Sequence, residues 1–237
     1  MLTPEDFRRR VIRRFHRLGR LDNYDDLQVL ELLLLFALPP ESAQAAATEL
    51  LEYYGSVASI LEAPTVELQT FPHMTVEAMA LIHLVPELGR YHMVQRACLA
   101  RPLNTTTDCG NYLLPHFHGE QDEVVYLLCL DANYQPRDCR MLFRGSVNTA
   151  GVSVRSIVRV ALACNATWVV LAHNHTSDVP MPSVEDERTT QRIGKALDAV
   201  GIGLADHIIV AGGSFVSMMD LGLLRDHGAG AYELSPT

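Results

Sequence analysis

His173 and His175 are one residue apart, and Asp186 follows eleven positions later; side chains of these types can hold a metal ion together. Two imidazoles and a carboxylate leave the fourth tetrahedral position open, as catalytic rather than structural zinc requires. A closed structural site would want a fourth protein ligand, and no cysteine lies near. Iron in a facial triad uses the same donor types, so composition alone does not choose between the two metals. Each residue also has a plainer reading. Ser183-Val184-Glu185-Asp186 has the form of a helix start, with Ser183 as N-cap and acids where the helix terminus favours them. A histidine pair of this spacing also arises on surfaces by accident. Joint placement at the exit of a buried strand raises the metal reading to the level of the plain one.

The elements that must position these residues fall into two stretches of different periodicity. From Thr3 to about Ala100 the pattern is helical. Leu27 to Leu38 predicts an almost wholly apolar helix stopped by Pro39-Pro40, and Ser42 starts an alanine-rich helix that runs to about Tyr54 and breaks at Gly55. A short piece spans Val57 to Leu61, and the last helices run from near Thr75 to near Ala100. After Arg101-Pro102 strands and helices alternate. Asp108 to His118 predicts a helix, Glu123 to Leu130 a strand and Arg137 to Phe143 a returning strand. Ser153 to Cys164 is a helix with Val154, Ile157, Val158, Ala161 and Leu162 on its apolar face. Thr167 to Ala172 is a continuously apolar, buried strand. Ser183 to about Val200 is the helix carrying Asp186, and Asp206 to Val210 is a strand closed by Gly212-Gly213. The fold class expected is α/β, a mixed sheet flanked by helices and preceded by a small all-helical domain. Residues 1–100 form the helical domain, 101–227 the metal-binding domain and 228–237 a short, loosely held tail.

Composition bounds the partners. The net charge of -9 disfavours a nucleic-acid binder, whose affinity rests on a basic footprint. Seven arginines crowd residues 1–20, which reads as a solvated helix or a docking face before it reads as a contact for DNA. Five cysteines, an odd number without a CxxC pair, point to buried free thiols and a reducing compartment. The first twenty residues lack a continuous apolar segment, and the longest apolar runs, Leu32–Leu38 and Val124–Leu130, are too short to span a bilayer. A cytoplasmic protein without a membrane partner is expected. His116 and His118 repeat the HxH spacing without a matching carboxylate and read as surface residues. Trp168 reads as core, and Asp206-His207 either as packing or as a brace behind a metal ligand.

The segment from His173 to Asp186 matches the JAMM pattern HxHxxxxxxxSxxD without a gap, through His173, His175, Ser183 and Asp186. HNHTSD, PSVED, GSVNTAG from Gly145 and DHIIV from Asp206 together resemble bacterial RadC-family proteins, the UPF0758 group, strongly over 103–225 and more weakly over the helices before. The resemblance implies a JAB/MPN, cytidine-deaminase-like fold and one Zn2+ per chain held by His173, His175 and Asp186. It adds a remote glutamate acting as general base, which falls on Glu123, with Glu120 as runner-up. Ser183 would donate to the oxygen that develops negative charge. The activity implied is that of a zinc metallopeptidase or isopeptidase, in which zinc acidifies a water and polarises the carbonyl while Glu123 moves the proton to the leaving nitrogen. Its substrate would be a peptide, a protein or an isopeptide. A DNA repair or recombination factor and a non-catalytic MPN scaffold are the alternatives; the acidic balance speaks against the first and an intact Glu123 against the second. The residues do not set an oligomeric state.

Two departures from the family pattern stand out. Thr176 and Asp178 replace the proline and glycine of the common HNHPSG loop, and neither change removes a ligand. The stretch Phe71 to Leu88 lacks the glycine of the family's helix-hairpin-helix-like element, so phosphate cradling by a tight glycine turn is not expected there.

Overall fold

A computed structural model describes residues 4–98, 102–145, 153–176 and 179–224. The GSVNTAG segment beyond Gly145, Asp178 and the tail lie outside them. The chain divides into two units, Met1–Gly89 and Arg90–Thr237, so the division falls inside a helix rather than after it. The first unit is helical: α1 (Pro4–Leu18), α2 (Asp26–Leu34), α3 (Pro40–Tyr54), α4 (Val57–Leu61), α5 (Thr65–Leu68) and the start of α6 (Val76–Cys98). Asp25 caps α2 by accepting the Gln28 N–H, and α2 closes in turns before Pro39. Pro40 opens α3 two residues earlier than expected, because proline is favoured at the first position of a helix. Gly55 ends α3 with φ of 78°, the left-handed conformation that glycine adopts without penalty. Leu30, Leu34, Leu50, Ile60, Leu68 and Ile82 are fully buried in this core. The arginine-rich α1 is anchored rather than merely solvated: Phe7 and Val11 pack against the core, and Arg14 lies over the ring of Tyr24. Where several last helices were expected, α6 runs unbroken through Pro86.

The second unit is a three-layer α/β structure. Its elements are α7 (Thr106–Leu113), a 3-10 turn (Leu114–Phe117), β1 (Glu123–Leu130), β2 (Pro136–Gly145), α8 (Val154–Ala163), β3 (Trp168–Asn174), α9 (Val184–Asp198), β4 (Gly203–Ala211) and β5 (Ser214–Ser217). The five strands lie in the order β2-β1-β3-β4-β5, with β3 and β4 parallel and the other neighbours antiparallel, so the sheet is mixed. Alternation along β1 supplies both layers. Val124, Tyr126, Leu128 and Leu130 meet Leu113 and Phe117 on one face, while Leu127 and Cys129 meet Ile157, Ile193 and Leu197 on the other. Strand β5 was not anticipated; it is the return of a hairpin through Gly212-Gly213.

Two expectations need correction. On α8 Ile157, Val160 and Ala161 are buried and Val154 and Val158 pack against the same core as expected, but Leu162 is 53% exposed because it lies at the edge of that face, and Val160 takes its place. His116 is a core residue rather than a surface one: the 3-10 turn carries it under the sheet, where its ring packs against those of Tyr112 and Tyr126. Burial, helped by Arg90, lowers its pKa to about 4.

Candidate metal centre

Strand periodicity sends Val169, Leu171 and His173 to the same face of β3, the face covered by α8 and α9. His173 therefore emerges where the apolar layer ends. Beyond the strand, the His175 N–H donates to the Val210 carbonyl at 2.8 Å, which extends the β3–β4 pairing by one residue and fixes the second histidine. Asp186 comes from α9. Ser183 caps that helix, its Oγ accepting the Asp186 N–H at 3.1 Å, and the Asp186 carboxylate in turn accepts the Ser183 N–H at 2.7 Å and its hydroxyl at 2.6 Å. This reciprocal capping box holds Asp186 over the end of β3.

The three side chains converge. His173 Nε2 lies 3.2 Å from Asp186 Oδ1 and His175 Nε2 lies 3.3 Å from Asp186 Oδ2. Zinc bonds of about 2.0–2.1 Å in tetrahedral geometry put neighbouring ligand atoms about 3.3 Å apart; both His–Asp spacings match that value, the donor atoms of the three residues all lie within 4.8 Å of one another, and the donor types suit such an ion. Among the described residues this is the one group of three or more metal-ligating side chains close enough to share an ion. Asp186 is 6% exposed. Burial opposes its ionisation, but hydrogen bonds from His173, His175 and Ser183 outweigh that penalty and hold the carboxyl well below its ordinary range. The hydrogen bond to Asp186 raises the His175 pKa against the effect of burial, and the charge of Glu123 adds to the rise.

Glu123 opens β1. Val125 is paired with His173, so Glu123, two residues earlier, faces the same side of the sheet as the histidine. Its backbone is clamped from an unexpected quarter. Asn174, the residue between the two histidines, accepts the Val124 N–H through Oδ1 at 2.7 Å and donates from Nδ2 to the Asp122 carbonyl at 2.9 Å. One buried amide thus grips the chain on both sides of Glu123 and ties it to the histidine strand. Glu120 lies apart from this arrangement: its carboxylate is 2.8 Å from Arg144 of β2. Glu120 lines a cleft of about 370 Å3 that begins at His175 and Asn174 and continues between Leu114, Phe117 and the Gly212-Gly213 turn.

Behind His173 lies His207 of β4, its Nε2 2.8 Å from His173 Nδ1. Burial, and next the neighbouring His173, lower the His207 pKa well below its usual value. Its other nitrogen meets the hydroxyl of Thr190, one turn along α9 from Asp186. Thr190 was missed in the sequence, although its i+4 relation to Asp186 put it on the same helix face. Asp206 takes no part; it points to the opposite side, where it accepts the backbone N–H groups of His207 and Met219. Burial raises its pKa to about 6.

Comparison with known proteins agrees with the fold. A family model described as a RadC-like JAB domain matches residues 103–223. A UPF0758 protein of Nitrosococcus oceani is 34% identical over 199 residues, covering 84% of this chain and 89% of its own length. The similarity to a UPF0758 protein of Methylibium petroleiphilum is also 34%, over 84% of this chain and 90% of that protein. A third, from Pseudomonas savastanoi pv. phaseolicola, is 33% identical over 202 residues.

Proposed function

This chain belongs to the RadC-like JAB-domain family, and from that premise we propose that it is a zinc-dependent hydrolase of amide bonds, a metallopeptidase or isopeptidase of the JAMM type. The observation that carries the reading is the convergence of His173 Nε2, His175 Nε2 and the Asp186 carboxylate, with Glu123 on the same face of the sheet as His173. His173, His175 and Asp186 hold the metal. A zinc ion bound there supplies Lewis acidity, acidifying a water and polarising a carbonyl.

The chain's own residues do the rest. Glu123 accepts a proton from the attacking water at its carboxylate and passes it to the leaving nitrogen, and the Asn174 clamp keeps that carboxylate at a constant height on β1. Glu120 is the weaker candidate for this work because Arg144 already engages it. Ser183 keeps Asp186 oriented through its N–H and hydroxyl; the oxyanion role that the family pattern gives this hydroxyl requires it to turn away from Asp186 Oδ2. The scissile bond of a peptide, protein or isopeptide would lie at the His175 end of the cleft, where Leu114, Phe117 and Val210 offer apolar contact. No helix among the described residues is long and apolar enough to cross a membrane.

Elemental mass spectrometry on the full chain tests the metal, and peptide and lysine-isopeptide substrates test the reaction. About one zinc per chain is expected, lost in Asp186→Ala. Glu123→Gln is expected to keep the zinc and the fold while hydrolysis falls at least about 100-fold. Full turnover by Glu123→Gln would move the base role to Glu120. Absence of zinc from protein exposed to an excess of it would end the hydrolase reading and favour a non-catalytic scaffold.

A further inference from the structure

Three polar side chains behind the metal site form a continuous chain that no step of the hydrolysis uses. His173 Nδ1 lies 2.8 Å from His207 Nε2, His207 Nδ1 is within hydrogen-bond distance of Thr190 Oγ1, and Thr190 Oγ1 is 2.6 Å from the carbonyl oxygen of Asp186. The chain starts on one member of the metal triad and ends on another. His207 is 2% exposed and Thr190 1%, so water does not complete either group's hydrogen bonding. A neutral imidazole carries one N–H and one bare nitrogen, and a hydroxyl has one proton to donate. Placing the proton on His173 therefore dictates every other donor in the chain.

With both imidazoles neutral, two arrangements satisfy all the members. In the first, His173 carries its proton on Nε2, directed at Asp186 Oδ1 3.2 Å away; His207 Nε2–H donates to His173 Nδ1, and the Thr190 hydroxyl donates to His207 Nδ1. In the second, His173 carries its proton on Nδ1 and donates it to His207 Nε2. His207 Nδ1–H then donates to Thr190, whose hydroxyl turns to the Asp186 carbonyl. Each arrangement has three hydrogen bonds, and each member keeps one proton, so nothing is gained or lost in passing between them. Only the second leaves His173 Nε2 bare, which a metal ligand must be.

We propose that His207 and Thr190 are positioning residues that reverse this chain when a divalent metal enters, so that His173 presents an unprotonated Nε2 with no net change in the protons the three side chains carry: the Nε2 proton leaves to solvent at the metal position and Thr190 regains one by exchange with solvent. The proposal rests on the reading that the triad holds zinc. It assigns His207 a change of tautomer on metal binding, from Nε2–H to Nδ1–H, and gives Thr190 the task of accepting the displaced donor.

The test is long-range 1H–15N correlation on the full chain labelled with 15N-histidine, recorded without zinc and with one equivalent. The expected result is a His207 proton on Nε2 without zinc and on Nδ1 with it. An unchanged His207 tautomer in zinc-loaded protein, or a doubly protonated ring, would overturn the proposal and leave the metal site standing. Protein that takes up no zinc would overturn both. Chelator competition gives an independent readout: Thr190→Val should weaken zinc binding about 10–100-fold, and Thr190→Ser, which keeps the hydroxyl, should restore it. Parent-like zinc affinity in a folded Thr190→Val protein would also overturn the relay.

Discussion

Asp206 and His207 are adjacent in β4, yet strand alternation sends them into opposite layers and opposite protonation regimes. His207 faces the metal triad. Asp206 is fully buried beneath α7 with Oδ2 unpaired, and burial raises its pKa to about 6. An acid whose folded pKa is raised binds more protons in the native than in the unfolded state between about pH 4 and 6, so its contribution to stability falls as pH rises through that window. Asp206→Asn removes the effect. Denaturant unfolding of the two proteins should show the variant gaining on the parent from pH 4 to 7, by at most about 3 kcal/mol. His116 has the opposite shift but is common to both proteins and cancels in the difference. A difference independent of pH would mean that Asp206 ionises normally. At this scale the group of His173, His175 and Asp186 was half legible: HxH at a strand exit and an acid in a helix's first turn allowed a metal site and a plain capping reading equally, and the JAMM pattern decided between them. His116 was not, since the burial of a histidine depends on which way a 3-10 turn directs it.

Elements bring together what spacing leaves apart. Glu123 precedes His173 by fifty residues, and it reaches the site because β1 and β3 pair antiparallel with Val125 opposite His173. The apolar runs of both strands were readable as buried strands; their pairing and the hairpin to β5 were not, because register is a long-range property. Asn174 shows the same limit. Between two ligands it reads as a turn residue, but its amide completes the hydrogen bonding of β1. Asn174→Asp keeps the acceptor for Val124 and turns a carboxylate oxygen toward the Asp122 carbonyl. The expected result is a loss of about 1–3 kcal/mol in stability and, at saturating zinc, a fall in kcat with KM little changed. Unaltered kcat would show that Glu123 keeps its place without the clamp.

The described residues form three hydrophobic clusters, one in the helical unit and one on each face of the sheet in the second, and the group of His173, His175 and Asp186 belongs to the second unit alone. The charge is uneven as well: α1 concentrates arginine in a chain with net charge of -9. Helical periodicity in the first hundred residues and alternation after them were readable; that α6 runs unbroken from Val76 to Cys98 was not, because Pro86 reads as a break. Zinc at about 100 times its Kd should stabilise the native second unit by about 2.7 kcal/mol. Calorimetry with and without chelator should therefore move that unit's transition and leave the helical unit's melting unchanged; an equal shift of both would mean that the cores unfold together. Asp186 adds a kinetic side to this linkage, because the carboxylate that would grip the ion also fastens the first turn of α9 through Ser183. An ion held there would couple its release to fraying of that turn. The lifetime of a metal in the protein would then be tied in part to the stability of a helix end.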